Sequence, residues 1–348
     1  MTKRQKLIKK NKRKYLIISI LLAAALFVIL IANTHMGAMR ITAGDIMKIV
    51  FGKLFHNEKI LSSVKDNITA VIWEIRIPRI ICGIAVGAGL ASAGVIFQSI
   101  LQNPLADPYT LGISTGASFG ASLAIYLNIA LNINLPIPVF ALAMAFITLI
   151  TVIAVARRGE SFLSSNLIIA GIIVSSVLSS GVSLIKMLAG EDVSAIVFWL
   201  MGSLSAKSWS DVYLVVPCVA IMILTACFFA KELDIMSLGD ENARSLGVNT
   251  ARIRMMYLII GAAITAVCVS VCGVIGFVGL IIPHLLRMRF TAKNSILIPL
   301  SALSGGVLLS LADNLTRVLA NGEIPVGILT TLIGGPFFIY IFIKRSRK

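Results

Sequence analysis

Charge is what this chain has least of. Only 13% of its 348 residues are Asp, Glu, Lys or Arg, whereas 58% are hydrophobic. A water-soluble domain carries about 25% charged residues to coat its surface, so a soluble enzyme of two or three domains is excluded. Histidine is nearly absent: His35, His56 and His284 are scattered. The five cysteines (Cys82, Cys218, Cys227, Cys268, Cys272) all lie in apolar runs. Cys268 and Cys272 share a helix face, but two thiols without a supporting His or acid do not close a zinc site. They read as small buried hydrophobes. Equally missing are a G-x-x-x-x-G-K-[ST] loop to cradle nucleotide phosphates, an H-E-x-x-H zinc motif and a nucleophile elbow. The chain is therefore expected to hydrolyse no ATP itself and to carry no catalytic residue, cofactor or metal.

What is abundant is apolar sequence, with a mean hydropathy of +0.96. Crossing about 30 Å of hydrocarbon takes a helix of about 20 apolar residues. Runs of that kind fall near 15–33, 79–101, 110–128, 136–156, 164–188, 209–231, 252–272, 274–288, 295–317 and 325–343. The eighth is short and glycine-rich. The expectation is an all-α polytopic membrane protein of about ten helices, a single transmembrane domain over 1–348. A basic stretch at 1–14 precedes the first run, as in a signal peptide, but no small-residue cleavage pattern ends it. An uncleaved first helix is the simpler reading.

The net charge of +16 would suit a nucleic-acid binder only if it lay on one folded, soluble face. It sits instead in short clusters between apolar runs, so no nucleic-acid partner is expected and lipid is. With both termini cytoplasmic, the basic residues of 1–14, Arg157, Arg158, Lys231, Arg244, Arg252, Arg254, Arg287, Arg289, Lys293 and the C-terminal four all face inward. The outward hairpins near 129–135 and 319–324 hold none. That asymmetry obeys the positive-inside rule, as expected of a multi-pass membrane protein with both termini cytoplasmic.

Two stretches lie outside the spans: an outer loop, 34–78, and an inner segment, 232–251. The second holds a short helix, Asp240 to Leu246, stopped by Gly247. A helix of that length is unstable alone in water and has to pack on something. Ionisable residues inside the spans are few: Lys186, Asp211, Asp313 and Arg317, all near outer ends. That argues against a buried proton relay, although an ion-coupled secondary transporter acting without an ATPase stands as the alternative. Gly94-Val-Ile with Pro104 and Gly273-Val-Ile with Pro283 share one spacing, a sign of a possible internal duplication.

Several motifs follow one another in order: Arg76-Ile-Pro-Arg79; Gly87-Ala-Gly-Leu-Ala-Ser-Ala-Gly94; Asn103-Pro-Leu-Ala-Asp-Pro108 through Ala117; Leu238 to Gly247; Gly273 through His284 with Arg287; and Glu323-Ile-Pro-Val-Gly327 followed by Gly334-Gly-Pro-Phe-Phe338. Over roughly 70–343 the chain resembles the FecCD family, permease subunits of ABC importers for iron-siderophores, haem and cobalamin. It departs from the family after His284, where Arg287-Met-Arg-Phe-Thr-Ala-Lys-Asn294 replaces an Asp-His-Arg type turn. The resemblance implies a type II ABC importer permease fold, a second permease subunit (identical or homologous), a cytoplasmic ABC ATPase dimer and an extracytoplasmic substrate-binding protein. It implies that Asp240, Glu241, Ala243, Arg244, Ser245, Leu246 and Gly247 form the helix that couples to the ATPase. It implies that Arg76, Arg79 and Arg317 dock the binding protein, although arginines there also suit snorkelling into headgroups. Asn103, Leu105, Ser164 and Ser165 would narrow the cytoplasmic mouth; Ser164 also reads as a helix N-cap. The His284 and Arg287 pair suits a helix C-terminus. No residue distinguishes one iron chelate from another.

Overall fold

The computed structural model describes residues 3–35, 41–156, 164–319 and 324–346. All regular structure among them is helical. The first helix, α1 (Lys3–His35), lies on the outside of the bundle. After it come three short helices, α2 (Ala43–Leu54), α3 (Glu58–Leu61) and α4 (Asp66–Ala70), and a π-helical turn, Val71–Arg76. The long helices are α5 (Ile77–Ile100), α6 (Ile113–Leu131), α7 (Ile137–Ala156) and α8 (Ser164–Ala189), with α9 (Val193–Leu200) folding back after α8. Next are α10 (Trp209–Phe228), the short α11 (Ala230–Met236) and α12 (Asp240–Ser245), then α13 (Thr250–Cys272), α14 (Val278–Arg289), α15 (Asn294–Leu319) and α16 (Val326–Ser346).

Eight of these stretches are long and apolar enough to cross a membrane, and a shorter apolar helix follows at Val326–Tyr340. The weak eighth run resolves into α14, whose 12 residues reach only about 18 Å at 1.5 Å per residue. It is a half-span. The five residues before it are not helical, and Gly273 and Phe277 have positive φ. Irregular backbone at membrane depth has to be buried in protein with its polar groups met. Here Tyr109 Oη donates to the Ile275 carbonyl at 2.6 Å. The Ser203 amide reaches the Cys272 carbonyl at 2.8 Å, and the Gly327 amide reaches that of Gly202 at 3.1 Å. The two Gly-Val-Ile sites differ locally: Gly94 lies inside α5, whereas Gly273 begins this break.

At the centre stands α5, buried on nearly every side from Pro78 to Ile100 and packed against α10, α13, α14 and α15. Its small residues are the reason. Lipid tails are as apolar as side chains, so helices associate through close van der Waals contact, which small residues permit. A Cβ added at Gly94 would overlap the Gly279 carbonyl of α14, 2.8 Å from Gly279 Cα. Cys268 Sγ lies 3.9 Å from the Val86 carbonyl of α5, so that thiol is part of the same packing.

The two ends of the bundle differ. At one, residues 41–77 fold into a small cap around Ile41, Ile49, Val64 and Ile72. Thr42 and Asn57 cap α2 and α3 with their side chains. The cap is tied down where Trp209 Nε1 donates to the Trp73 carbonyl at 2.9 Å, the two indoles 4.9 Å apart. At the other end lie α11 and α12.

Candidate functional site

Asp240 to Gly247 form a rigid knob. α12 spans six residues, from Asp240 to Ser245, between Gly239 (φ +98) and Gly247 (φ +83). Leu246 caps the helix rather than extending it. The Gly247 amide bonds to the Arg244 carbonyl at 2.9 Å, and that of Val248 to the Ala243 carbonyl at 3.0 Å. This paired pattern is the Schellman stop, which needs a left-handed residue where Gly247 stands. Ala243 is fully buried and faces the bundle. Glu241, Arg244, Ser245 and Gly247 are exposed, as are two large apolar side chains, Leu238 (59%) and Leu246 (62%). The knob therefore presents apolar and charged side chains together.

The knob is clamped to the long helices. Arg254 of α13, its side chain 7% exposed, donates through Nη2 to both carboxylate oxygens of Asp240, at 2.8 and 2.9 Å. Arg244 Nε donates to Thr250 Oγ1 at 3.2 Å. One turn back, α11 is anchored by polar contacts that reach three long helices. Asp234 accepts from the amide of Asn294, the first residue of α15. Asn294 Oδ1 accepts from Ser99 of α5 at 2.8 Å, and Ser99 Oγ also accepts from Arg287 of α14 at 2.8 Å. Gln102 Nε2 adds a bond to the Met236 carbonyl at 3.2 Å. Displacing α11 and α12 therefore pulls on α5, α13, α14 and α15 together. Asp234, Asn294 and Ser99 were not candidates from sequence, since polar residues far apart along the chain give no sign of their pairing.

At the same end lie Asn103, Leu105 and Ser165. Asn103 Oδ1 accepts from the Leu105 amide at 2.9 Å; Leu105 is 42% exposed and Ser165 is exposed at the start of α8. Between them the 108–111 turn packs on α8, with Gly171 against Thr110 and Leu111. The backbone of Ser164 opens α8, but its side chain, like Arg157, Arg158 and Glu323, lies outside the described residues.

At the cap end the three arginines come together, Arg76 and Arg79 buried and Arg317 half-buried. Arg79 meets Asp313 of α15 through Nε, at 3.1 Å to both oxygens, and Nη2, at 2.9 Å. Arg317 Nη2 lies 3.5 Å from the other Asp313 oxygen, and its Nη1 reaches the Asn33 carbonyl at 3.4 Å. Arg76 Nη1 donates to the Thr34 carbonyl at 2.6 Å. These bonds fasten the end of α1 to α5 and α15. Arg76 and Arg79 are each 7% exposed. Asp211, also inside a span, is accounted for as half of a capping box with Ser208.

Comparison with known proteins agrees with this architecture. The FecCD transport family matches residues 24–344. The Fe(3+)-citrate import system permease protein YfmE of Bacillus subtilis is 36% identical over 345 residues, covering 99% of each chain. The cobalamin import system permease protein BtuC of Halobacterium salinarum is 37% identical over 283 residues, 81% of this chain and 76% of that one. A solved structure described as an inward-facing conformation of a metal-chelate type ABC transporter superposes with a TM-score of 0.82. It has 31% identity and covers 94% of this chain and 99% of that one.

Proposed function

The chain belongs to the FecCD transport family, and from that premise we propose that it is the permease subunit of an ATP-driven importer of iron chelates. The whole chain, 1–348, acts as one transmembrane domain. The α12 end faces the cytoplasm together with both termini, and the cap over 41–77 faces outward. The observation that carries the reading is the clamped knob. A chain with no nucleotide-binding loop presents a short rigid helix, with leucines exposed beside it, bonded at its base to the helices that would have to move.

In this reading Asp240–Gly247 seat in an ABC ATPase dimer. Closure of the dimer is passed through Asp240–Arg254 and the Asp234–Asn294–Ser99–Arg287 contacts to α5, α13, α14 and α15, a lever acting on rigid elements. A second permease subunit, identical or homologous, supplies the other wall of the pathway, and Asn103, Leu105, Ser164 and Ser165 border its cytoplasmic mouth. An extracytoplasmic binding protein docks around Arg76, Arg79 and Arg317. Of these, Arg317 offers more surface than Arg79 (side chains 14% against 8%), so docking falls chiefly to it. The secondary-transporter alternative loses support, because Asp313 and Asp211 are held in structural bonds.

Reconstitution tests this. Proteoliposomes holding the chain with its ATPase and binding protein should accumulate ferric chelate only with ATP, and an uncoupler should leave uptake intact. Uphill uptake by the chain alone would overturn the reading.

A further inference from the structure

Of the four span residues singled out from the sequence, Asp211, Asp313 and Arg317 are held by partners. Lys186 is not. No carboxylate or hydrogen-bond acceptor among the described residues pairs with it. It lines a cavity of about 300 Å³ between α6 and α8, together with Ser114, Thr115, Ser118, Ser179 and Ser183. Three apolar residues complete the wall.

The hydroxyls of α6 are unusual for a helix in lipid. Serines there normally bond back to a carbonyl four residues earlier, as Ser176, Ser180 and Ser183 of α8 do at 2.9–3.0 Å. Ser114 and Ser118 are 5% and 6% exposed, line the cavity, and have no hydrogen-bond partner among the described residues. The half-buried Lys186, in the last turn of α8, therefore shares this cavity with hydroxyls that no protein group among the described residues satisfies. A ligand that brings oxygen acceptors and negative charge pairs with both. A neutral ligand would leave the ammonium unpaired.

We propose that the Lys186–Ser114–Ser118 cavity is a cargo subsite for the carboxylate or catecholate oxygens of an anionic ferric chelate, and that it disfavours neutral chelates. This deepens the proposed function and rests on it. The cavity is too small for a whole siderophore, so it takes one oxygen-rich limb while the rest occupies the open face of α8, where Ser176, Ser179 and Ser180 are exposed.

The test is equilibrium binding of radiolabelled ferric citrate to the full chain in nanodiscs of zwitterionic lipid, which keeps anionic headgroups out of the cavity. Ferrichrome, a neutral hydroxamate chelate, is run in parallel. Wild type should prefer ferric citrate. Lys186→Met should weaken that binding about tenfold, the size of one charge-assisted contact, with Lys186→Arg retaining most of it and ferrichrome binding unmoved. Ser118→Ala should weaken it less. Equal ferric citrate binding by wild type and Lys186→Met, or a wild-type preference for ferrichrome, would overturn the proposal. Binding is read without ATP, so a failed ATP-driven uptake alongside intact, Lys186-dependent binding counts against the importer reading and not against the subsite.

Discussion

Asp240→Ala isolates the mechanical part of the argument. The substitution removes both bonds from Arg254 Nη2 and leaves that guanidinium, its side chain 7% exposed, without its carboxylate. A hydrogen bond to a charged group is worth about 1.5–3 kcal/mol. The Asp240 side chain keeps 35% of its surface, so water screens the pair and the lower end applies, about 1.5 kcal/mol. That shifts the balance between clamped and loose α12 by about tenfold. A loose knob still seats in the ATPase but passes on less of its motion. The measurable quantity is the ratio of chelate imported to ATP hydrolysed in proteoliposomes. It should fall several-fold, while binding-protein-stimulated hydrolysis stays within about twofold. Arg254→Met should do the same, and the double variant should be no worse than the worse single, because the two lose one shared interaction. An unchanged ratio in both single variants, or strictly additive losses, would refute the clamp.

Gly94→Ala should cost about 3 kcal/mol or more, beyond usual overpacking, because the obstruction is the α14 backbone; a thermal melt in detergent reads it, and an unshifted melt would contradict the packing. Asp313→Asn takes the carboxylate from Arg79 and Arg317 and should cost about 3 kcal/mol, seen as poor insertion or a lowered melting temperature. Gly247→Ala meets no atom but places a side chain at φ +83, so about 1 kcal/mol of backbone strain should lower coupled transport with little change in the melt. Arg317→Glu should slow docking of the binding protein more than it speeds release, so that stopped-flow association rates fall and raising the binding-protein concentration restores uptake.

Much of the fold was legible because a membrane reduces the problem to counting apolar runs, and the helix ends at Gly247 and around 131–137 are written in local chemistry. The short cap helices of 41–77 were not. Their signals are single side chains, Thr42 and Asn57, in a stretch of mixed polarity, and they are held by a four-residue core that no periodicity reveals. The half-span α14 was visible only as a short run, since an extended backbone at membrane depth depends on acceptors and donors supplied by residues as distant as Tyr109. The bounds of the short helix at Asp240 were read to within one residue, whereas its base was not: Arg254 lies 14 residues beyond Asp240 on another helix, and Ser99 and Asn294 are 195 apart.

Scarcity of charge is what makes the remaining assignments sharp. In a soluble protein an unpaired lysine needs no explanation, since water serves it. In a chain with so few charged residues, each one inside a span costs several times more than on a surface and persists only with a use. Asp313 and the arginines spend their charge holding α1, α5 and α15 together at the cap end. Asp211 starts a helix, and Lys207, just outside a span, donates to the Val271 carbonyl at 2.7 Å. Once these structural uses are set aside, Lys186 alone of the span residues first singled out lies against hydroxyls that have no partner, in a cavity open to the face of α8. The same economy that excluded a soluble enzyme at the outset thus points to where cargo touches the wall.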